Sequence, residues 1–293
     1  MAENKEDDDL LIRDSTPSNL IENSNSVCGK PSSSKCKIIM IISLSFIVLA
    51  VIAALILIFV LKDDSNKNKD EEEIEVLPPI IIEPVSDYTH CIIWLHGLDA
   101  MADKFYNLFT KEVPFAKRNN TKIILMQAPY QILSYDKHNG TSWFDLFSFP
   151  IDDDDCYNFT DATRSKKMVE KIIHEEAKKL NGKYQNIFIG GHSQGACISL
   201  YTAYNFKELL GGVLVCSGVL FKQVNIEGDK NKLNVFLAHG SGDRAIPFAY
   251  HNETVERIKN FEGVKTYYYE GAGHDIYPYE KNDMGKFLNE TMI

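Results

Sequence analysis

The polarity pattern changes most sharply between Ile38 and Leu61, a stretch without a charged residue and with only Ser43 and Ser45 as hydroxyls. As a helix rising about 1.5 Å per residue it would reach roughly 36 Å, enough to cross a hydrocarbon core of about 30 Å. The pattern predicts a transmembrane helix over residues 38–61, bracketed by Lys37 and Lys62. Residues 1–37 are rich in Asp, Glu, Asn and Ser with little apolar periodicity, which predicts a disordered acidic tail. Residues 62–84 run from a charged stretch to Pro78, Pro79 and Pro84, a composition suited to an extended stalk. The folded domain is expected over residues 85–293.

Within that domain short apolar runs alternate with helical patterns. The runs are Cys91 to Leu95, Ile123 to Met126, Ile187 to Ile189, Val213 to Cys216, Val235 to Ala238 and Thr266 to Tyr269. Alternation of this kind predicts a mostly parallel sheet wrapped by helices on both faces. Between the second and third runs, Thr160 to Asn181 carries Met168, Val169, Ile172, Ile173, Ala177 and Leu180 on one stripe, with Gly182 at the stop. Such a stripe is expected to pack on the sheet.

A formal net charge of −10 argues against a surface that tracks phosphates, so no nucleic-acid partner is expected. Lys30, Lys35 and Lys37 precede the apolar span without an intervening acid, which points the N-terminus to the cytoplasm and predicts a type II arrangement. The N-x-S/T acceptors at Asn119, Asn139, Asn158, Asn252 and Asn289 all follow the span, in keeping with a lumenal or extracellular, glycosylated domain. Glu6 to Leu11 resembles an acidic dileucine sorting signal, and Cys28 and Cys36 are candidates for acylation. Cys91, Cys156, Cys197 and Cys216 read mostly as core thiols, and no CxxC metal spacing occurs.

The chemistry is concentrated in Gly191-His192-Ser193-Gln194-Gly195, a G-x-S-x-G pattern between a β-run and a helical pattern. The two glycines remove side chains that would clash in a sharp strand-to-helix turn, and the turn presents the Ser193 hydroxyl at the sheet's edge. A serine hydroxyl is a weak nucleophile, so it needs a base, and the base needs a carboxylate to set its tautomer. On this fold the acid precedes the histidine, each in a loop after a strand. Asp243 follows the run ending at Ala238, and His274 follows the run ending at Tyr269. His239 and His251 stay open as bases and Asp275 as the acid. The oxyanion hole requires two backbone N–H groups, for which Gln194, after the serine, and Leu98, in Leu95-His96-Gly97-Leu98, are the candidates.

Taken in order, Leu95-His-Gly-Leu98, Gln127-Ala-Pro129, Ser142-Trp-Phe-Asp145, Gly190-Gly-His-Ser-Gln-Gly195, His239-Gly240 with Asp243 and Pro247, and Gly273-His274 resemble the acyl-protein thioesterase, or phospholipase/carboxylesterase, family. The resemblance runs from about Cys91 to Ile293. It implies an α/β-hydrolase that cleaves fatty acyl thioesters or carboxylesters, on a lipid or an acylated protein, with Ser193, Asp243 and His274 as triad and no metal or cofactor. By the same analogy Trp143 and Leu98 line the acyl site. Leu98-Asp99-Ala100 departs from the family, which continues its first block with Gly. A rival reading from another class is a catalytically silent, membrane-anchored hydrolase fold used for recognition; a serine peptidase on this fold is a third, lacking the extra propeller or cap sequence expected of it.

Overall fold

The computed structural model describes residues 49–58 and 77–292. Two compact units divide it, residues 1–72 and 73–293. In the first, the described part is a helical segment over residues 49–58. No helix among the described residues is long and apolar enough to cross a membrane. This corrects the expected transmembrane helix over residues 38–61, and with it the type II placement and the membrane anchor. The remainder of that interval lies outside the described residues, as do the acidic tail, the dileucine-like run, Cys28 and Cys36, and the stalk up to residue 76.

The second unit is built on a seven-stranded sheet of order β1-β3-β2-β6-β7-β8-β9. Its strands are β1 (Ile80–Ile82), β2 (His90–Leu95), β3 (Thr121–Met126), β6 (Ile187–His192), β7 (Gly212–Cys216), β8 (Asn234–Gly240) and β9 (Val264–Tyr269). A separate hairpin joins β4 (Tyr130–Ile132) to β5 (Asn139–Thr141). From β3 to β9 the sheet is parallel; β1 alone runs antiparallel, with Ile82 opposite Ile123. The sheet therefore reaches back to Ile80, ahead of the boundary expected near Val85. Ile82 is 6% exposed and packs with Ile92, Trp94 and Leu125, which is why these residues are sheet and not stalk.

Residues two apart on a strand share a face, and this divides the core in two. Cys91, Ile93 and Leu95 of β2 join the cluster under α1 (Phe159–Lys179), α2 (Gln194–Asn205) and α3 (Phe248–Ile258). Ile92 and Trp94 join Met284, Phe287 and Leu288 of α4 (Pro278–Thr291) on the other side. The stripe expected over residues 160–181 holds: Val169, Ile173 and Ala177 of α1 are buried. Asn158 caps α1, accepting from the Thr160 and Asp161 N–H groups, and Gly182 at φ +80° ends the turn beyond it, donating to Ala177 O at 2.8 Å.

Asn158 is also one of the expected glycan acceptors, and hydrogen bonds engage Asn289 and the threonines two residues after Asn119, Asn139 and Asn252. The hydroxyls of Thr121 and Thr141 donate to Lys117 O and Ala100 O, both at 2.7 Å; that of Thr254 accepts the Leu220 N–H at 2.8 Å. Asn289 Oδ1 accepts from Ala116 N at 2.6 Å. Asn158, Asn289 and these three threonines thus have structural roles of their own, and the lumenal placement that the apolar span had suggested falls with that span. Cys91, Cys156, Cys197 and Cys216 are buried free thiols.

Candidate active site

The parallel strands bring three loops to their C-terminal edge. β6 ends in the turn at Ser193, whose backbone takes φ +58° and ψ −124°, a strained conformation for a residue with a side chain. The turn closes only because its glycines are bare. A Cβ at Gly191 would lie 2.5 Å from the Gly195 carbonyl carbon, and one at Gly195 would lie 2.3 Å from Leu95 O. α2 begins at Gln194, directly after the serine, so the free N–H groups of its first turn and its dipole face the hydroxyl's surroundings. The helix is buried on nearly every side, which fixes this turn rigidly.

Ser193, His274 and Asp243 form one hydrogen-bonded chain. Ser193 Oγ is 2.8 Å from His274 Nε2, and His274 Nδ1 is 2.6 Å from Asp243 Oδ2. The carboxylate cannot donate when ionised, so His274 donates from Nδ1 and offers the Nε2 lone pair to the serine. Asp243 Oδ1 accepts the Ala245 and Ile246 N–H groups, both at 2.9 Å. Burial alone would raise the Asp243 pKa, but the bonds from His274 and the Ile246 N–H outweigh it and hold the carboxyl below the usual range.

The alternatives left open by the sequence lie elsewhere. His239 and His251 stand behind the acid, stacked with ring centroids 4.2 Å apart, and both are held neutral: burial lowers His239, and takes His251 down to about 3. Asp275 is exposed. His192, beside the serine, packs its ring 4.9 Å from that of His274, and burial lowers it to about 3.

The loop after β2 is pressed against the same turn, since a Cβ at Gly97 would lie 3.1 Å from Ser193 Cβ. Here His96, named in the sequence only as part of a block, has a task. Its Nδ1 donates to Gly97 O at 2.7 Å, while Nε2 accepts from Gln127 Nε2 at 2.8 Å and Ala128 N at 3.0 Å. Burial depresses it to about 4, which keeps this neutral tautomer. A trans peptide points its C=O and N–H in opposite directions. Tying down Gly97 O therefore orients the Leu98 N–H, which takes no backbone acceptor among the described residues. Asp99, where the sequence departs from the family, sits at φ +56°, a region that Asp tolerates better than most residues. Its N–H donates to Thr141 O and its carboxylate meets His138 at 3.0 Å, clamping the loop to the hairpin.

Trp143, expected along the acyl site, has no accessible surface. Its indole N–H donates to His96 O at 2.7 Å and its backbone N–H to Gln194 Oε1 at 3.0 Å, so it braces the loop from below. Leu98 is half-buried. Sequence reasoning missed these supporting roles of Trp143, His96 and the Gln194 side chain because they depend on contacts across the sheet edge. Away from the triad, Asp152, Asp153 and Cys156 bring three potential metal-ligand atoms within 4.8 Å of one another, with both carboxylates on exposed residues.

The arrangement can activate a hydroxyl, stabilise an oxyanion beside it and return a proton to a leaving group. Known proteins with the same plan are numerous. The model of the phospholipase/carboxylesterase family matches residues 78–292. Acyl-protein thioesterase 1 homolog 1 of Dictyostelium discoideum is 27% identical over 223 residues, 72% of this chain and 95% of that protein. Mouse lysophospholipase-like protein 1 is 26% identical over 200 residues, 65% of this chain and 81% of its own. Among solved structures, acyl-protein thioesterase 2 of Zea mays superposes with a TM-score of 0.61 at 22% identity, covering 73% of this chain and 99% of that one, a likeness of fold. Matched by the family model through nearly all of its second unit, this chain belongs to the phospholipase/carboxylesterase family of α/β hydrolases and is a serine hydrolase of ester bonds.

Proposed function

We propose that Ser193 is the nucleophile, His274 the general base, Asp243 the acid that orients it, and the N–H groups of Leu98 and Gln194 the oxyanion hole, acting on fatty acyl thioesters or carboxylesters. The single observation that carries this reading is the Ser193–His274–Asp243 chain at 2.8 and 2.6 Å. As Ser193 Oγ attacks the acyl carbonyl, its proton passes to His274 Nε2. The resulting imidazolium is stabilised by the Asp243 carboxylate and the oxyanion by two fixed N–H groups. Collapse of this intermediate expels the thiol or alcohol, which takes the proton from His274. A water then attacks the acyl-serine by the same route, and the carboxylic acid leaves. Leu98 is assigned to the wall of the acyl site. Trp143 reaches the substrate only through the loop that it supports.

Substrate class follows by analogy from the names of the relatives, several of which are acyl-protein thioesterases. The test is a fluorophosphonate probe on the purified protein, followed by turnover of an S-acyl thioester and the matching p-nitrophenyl ester. Labelling abolished in Ser193→Ala, with both substrates cleaved, supports the assignment. A wild-type protein that neither labels nor turns over would favour the silent recognition module instead.

A further inference from the structure

The loop of the acid contains an imidazole that the serine chemistry leaves unused. His239, near the end of β8, has a side chain with no accessible surface. Its Nε2 lies 2.9 Å from Ile246 O and 3.5 Å from Asp243 Oδ2, the same oxygen that receives the His274 proton. A carbonyl oxygen only accepts, so the His239 proton resides on Nε2. The Nδ1 atom is buried and has no hydrogen-bond partner among the described residues, as suits a bare lone pair. The ring is held flat against His251, 4.2 Å away and inclined by 22°, with Phe248 at 6.2 Å.

Ile246 is thereby gripped at both ends. Its N–H donates to Asp243 Oδ1 and its carbonyl accepts from His239. At 3.5 Å the direct contact between His239 and the carboxylate is long for a hydrogen bond, so the stronger effect passes through the turn. The Ile246 carbonyl and N–H lie in successive peptide planes that meet at its Cα, so without the His239 donor the turn is freer to shift at Ile246 and to carry off one of the two Oδ1 donors. The carboxylate would then be free to twist about its Cβ–Cγ bond.

We propose that His239 is a positioning residue for the reaction: its Nε2–H, anchored on Ile246 O and facing Asp243 Oδ2, holds the carboxylate in the plane that meets His274 Nδ1. The proposal rests on the triad assigned above. Since misplacement by about 1 Å can cost on the order of 10²-fold in rate, loss of an indirect support should cost on the order of tenfold.

The test uses the full chain. In the wild type, nitrogen–proton correlation spectra of ¹⁵N-histidine-labelled protein should show His239 as the Nε2–H tautomer. His239→Phe keeps the stack on His251 and removes the donor; His239→Gln places an amide nitrogen within reach of Ile246 O. With a p-nitrophenyl acyl ester, kcat of the Phe variant should fall on the order of tenfold with KM within about twofold, and the Gln variant should recover most of it. The downfield His274 Nδ1 proton resonance should move in the Phe variant and return in the Gln variant. An Nδ1–H tautomer in the wild type, a Phe variant with unchanged kcat, or folded Phe and Gln variants equally impaired would each overturn the proposal. If the Phe variant does not fold, the tautomer and the Gln variant decide. Ser193→Ala is run in parallel: retained turnover there would sink the triad itself, a failure separate from these.

Discussion

Asp243→Asn is the perturbation whose outcome the geometry defines best. Two N–H groups, from Ala245 and Ile246, point at Oδ1 from 2.9 Å each. In the amide the carbonyl oxygen must stay there, because turning the NH₂ toward them would forfeit two hydrogen bonds of about 1 kcal/mol each and set donors against donors. The NH₂ is therefore directed at His274 Nδ1, 2.6 Å from the replaced oxygen. That nitrogen becomes an acceptor, the ring proton moves to Nε2, and Nε2 then faces Ser193 Oγ at 2.8 Å with nothing to accept a proton. The imidazolium also loses its counter-charge. For the same substitution in the serine-protease example, kcat falls by about 10⁴. A drop on the order of 10³ to 10⁴ here corresponds to about 4 to 5.5 kcal/mol at 1.36 kcal/mol per decade. The side chain keeps its volume, so circular dichroism and the melting temperature should change little. The assay is kcat and KM on one p-nitrophenyl acyl ester, with Ser193→Ala and His274→Ala as floors that the triple variant should not lower further. Near-normal turnover in Asp243→Asn together with a large loss in Asp275→Asn would refute the assignment of the acid.

Acid should destabilise the protein: His96, His192 and His251 are depressed to about 4, 3 and 3, so near pH 5.5 the unfolded chain binds protons that the native state does not, and stability rises with pH and is lost on acidification below about 6.5. Between pH 6.5 and 5.5 the loss is on the order of 1 kcal/mol for each histidine, measurable by urea unfolding, and an unchanged midpoint would contradict their neutral burial. Gly195→Ala would drive a methyl to 2.3 Å from Leu95 O, a backbone atom, and should cost about 1 to 3 kcal/mol in stability and most of the activity; a fully active variant would show the elbow to be pliant. A chain starting at Val85 loses β1 and bares the β3 edge, so it should melt lower and aggregate more than one starting at residue 76; equal melting and solubility would return residues 80–82 to the stalk.

The sequence by itself determined the parts of this protein that depend on local order. The six strand runs and the α1 stripe are legible because a period of two or of 3.6 is written in consecutive residues, and the ends of each lie within three residues of those of its element. Ser193, Asp243 and His274 could be chosen because each follows a strand, and parallel strands carry such loops to one edge. The tertiary structure alone decided that β1, three residues near prolines, completes the sheet, since its evidence is pairing with β3 across some forty residues of chain. It also decided that Trp143 is a brace, that His96 orients the Leu98 N–H and that His239 grips the acid's turn. A side chain's type says what it can donate, but its partner is set by what the fold brings within 3 Å.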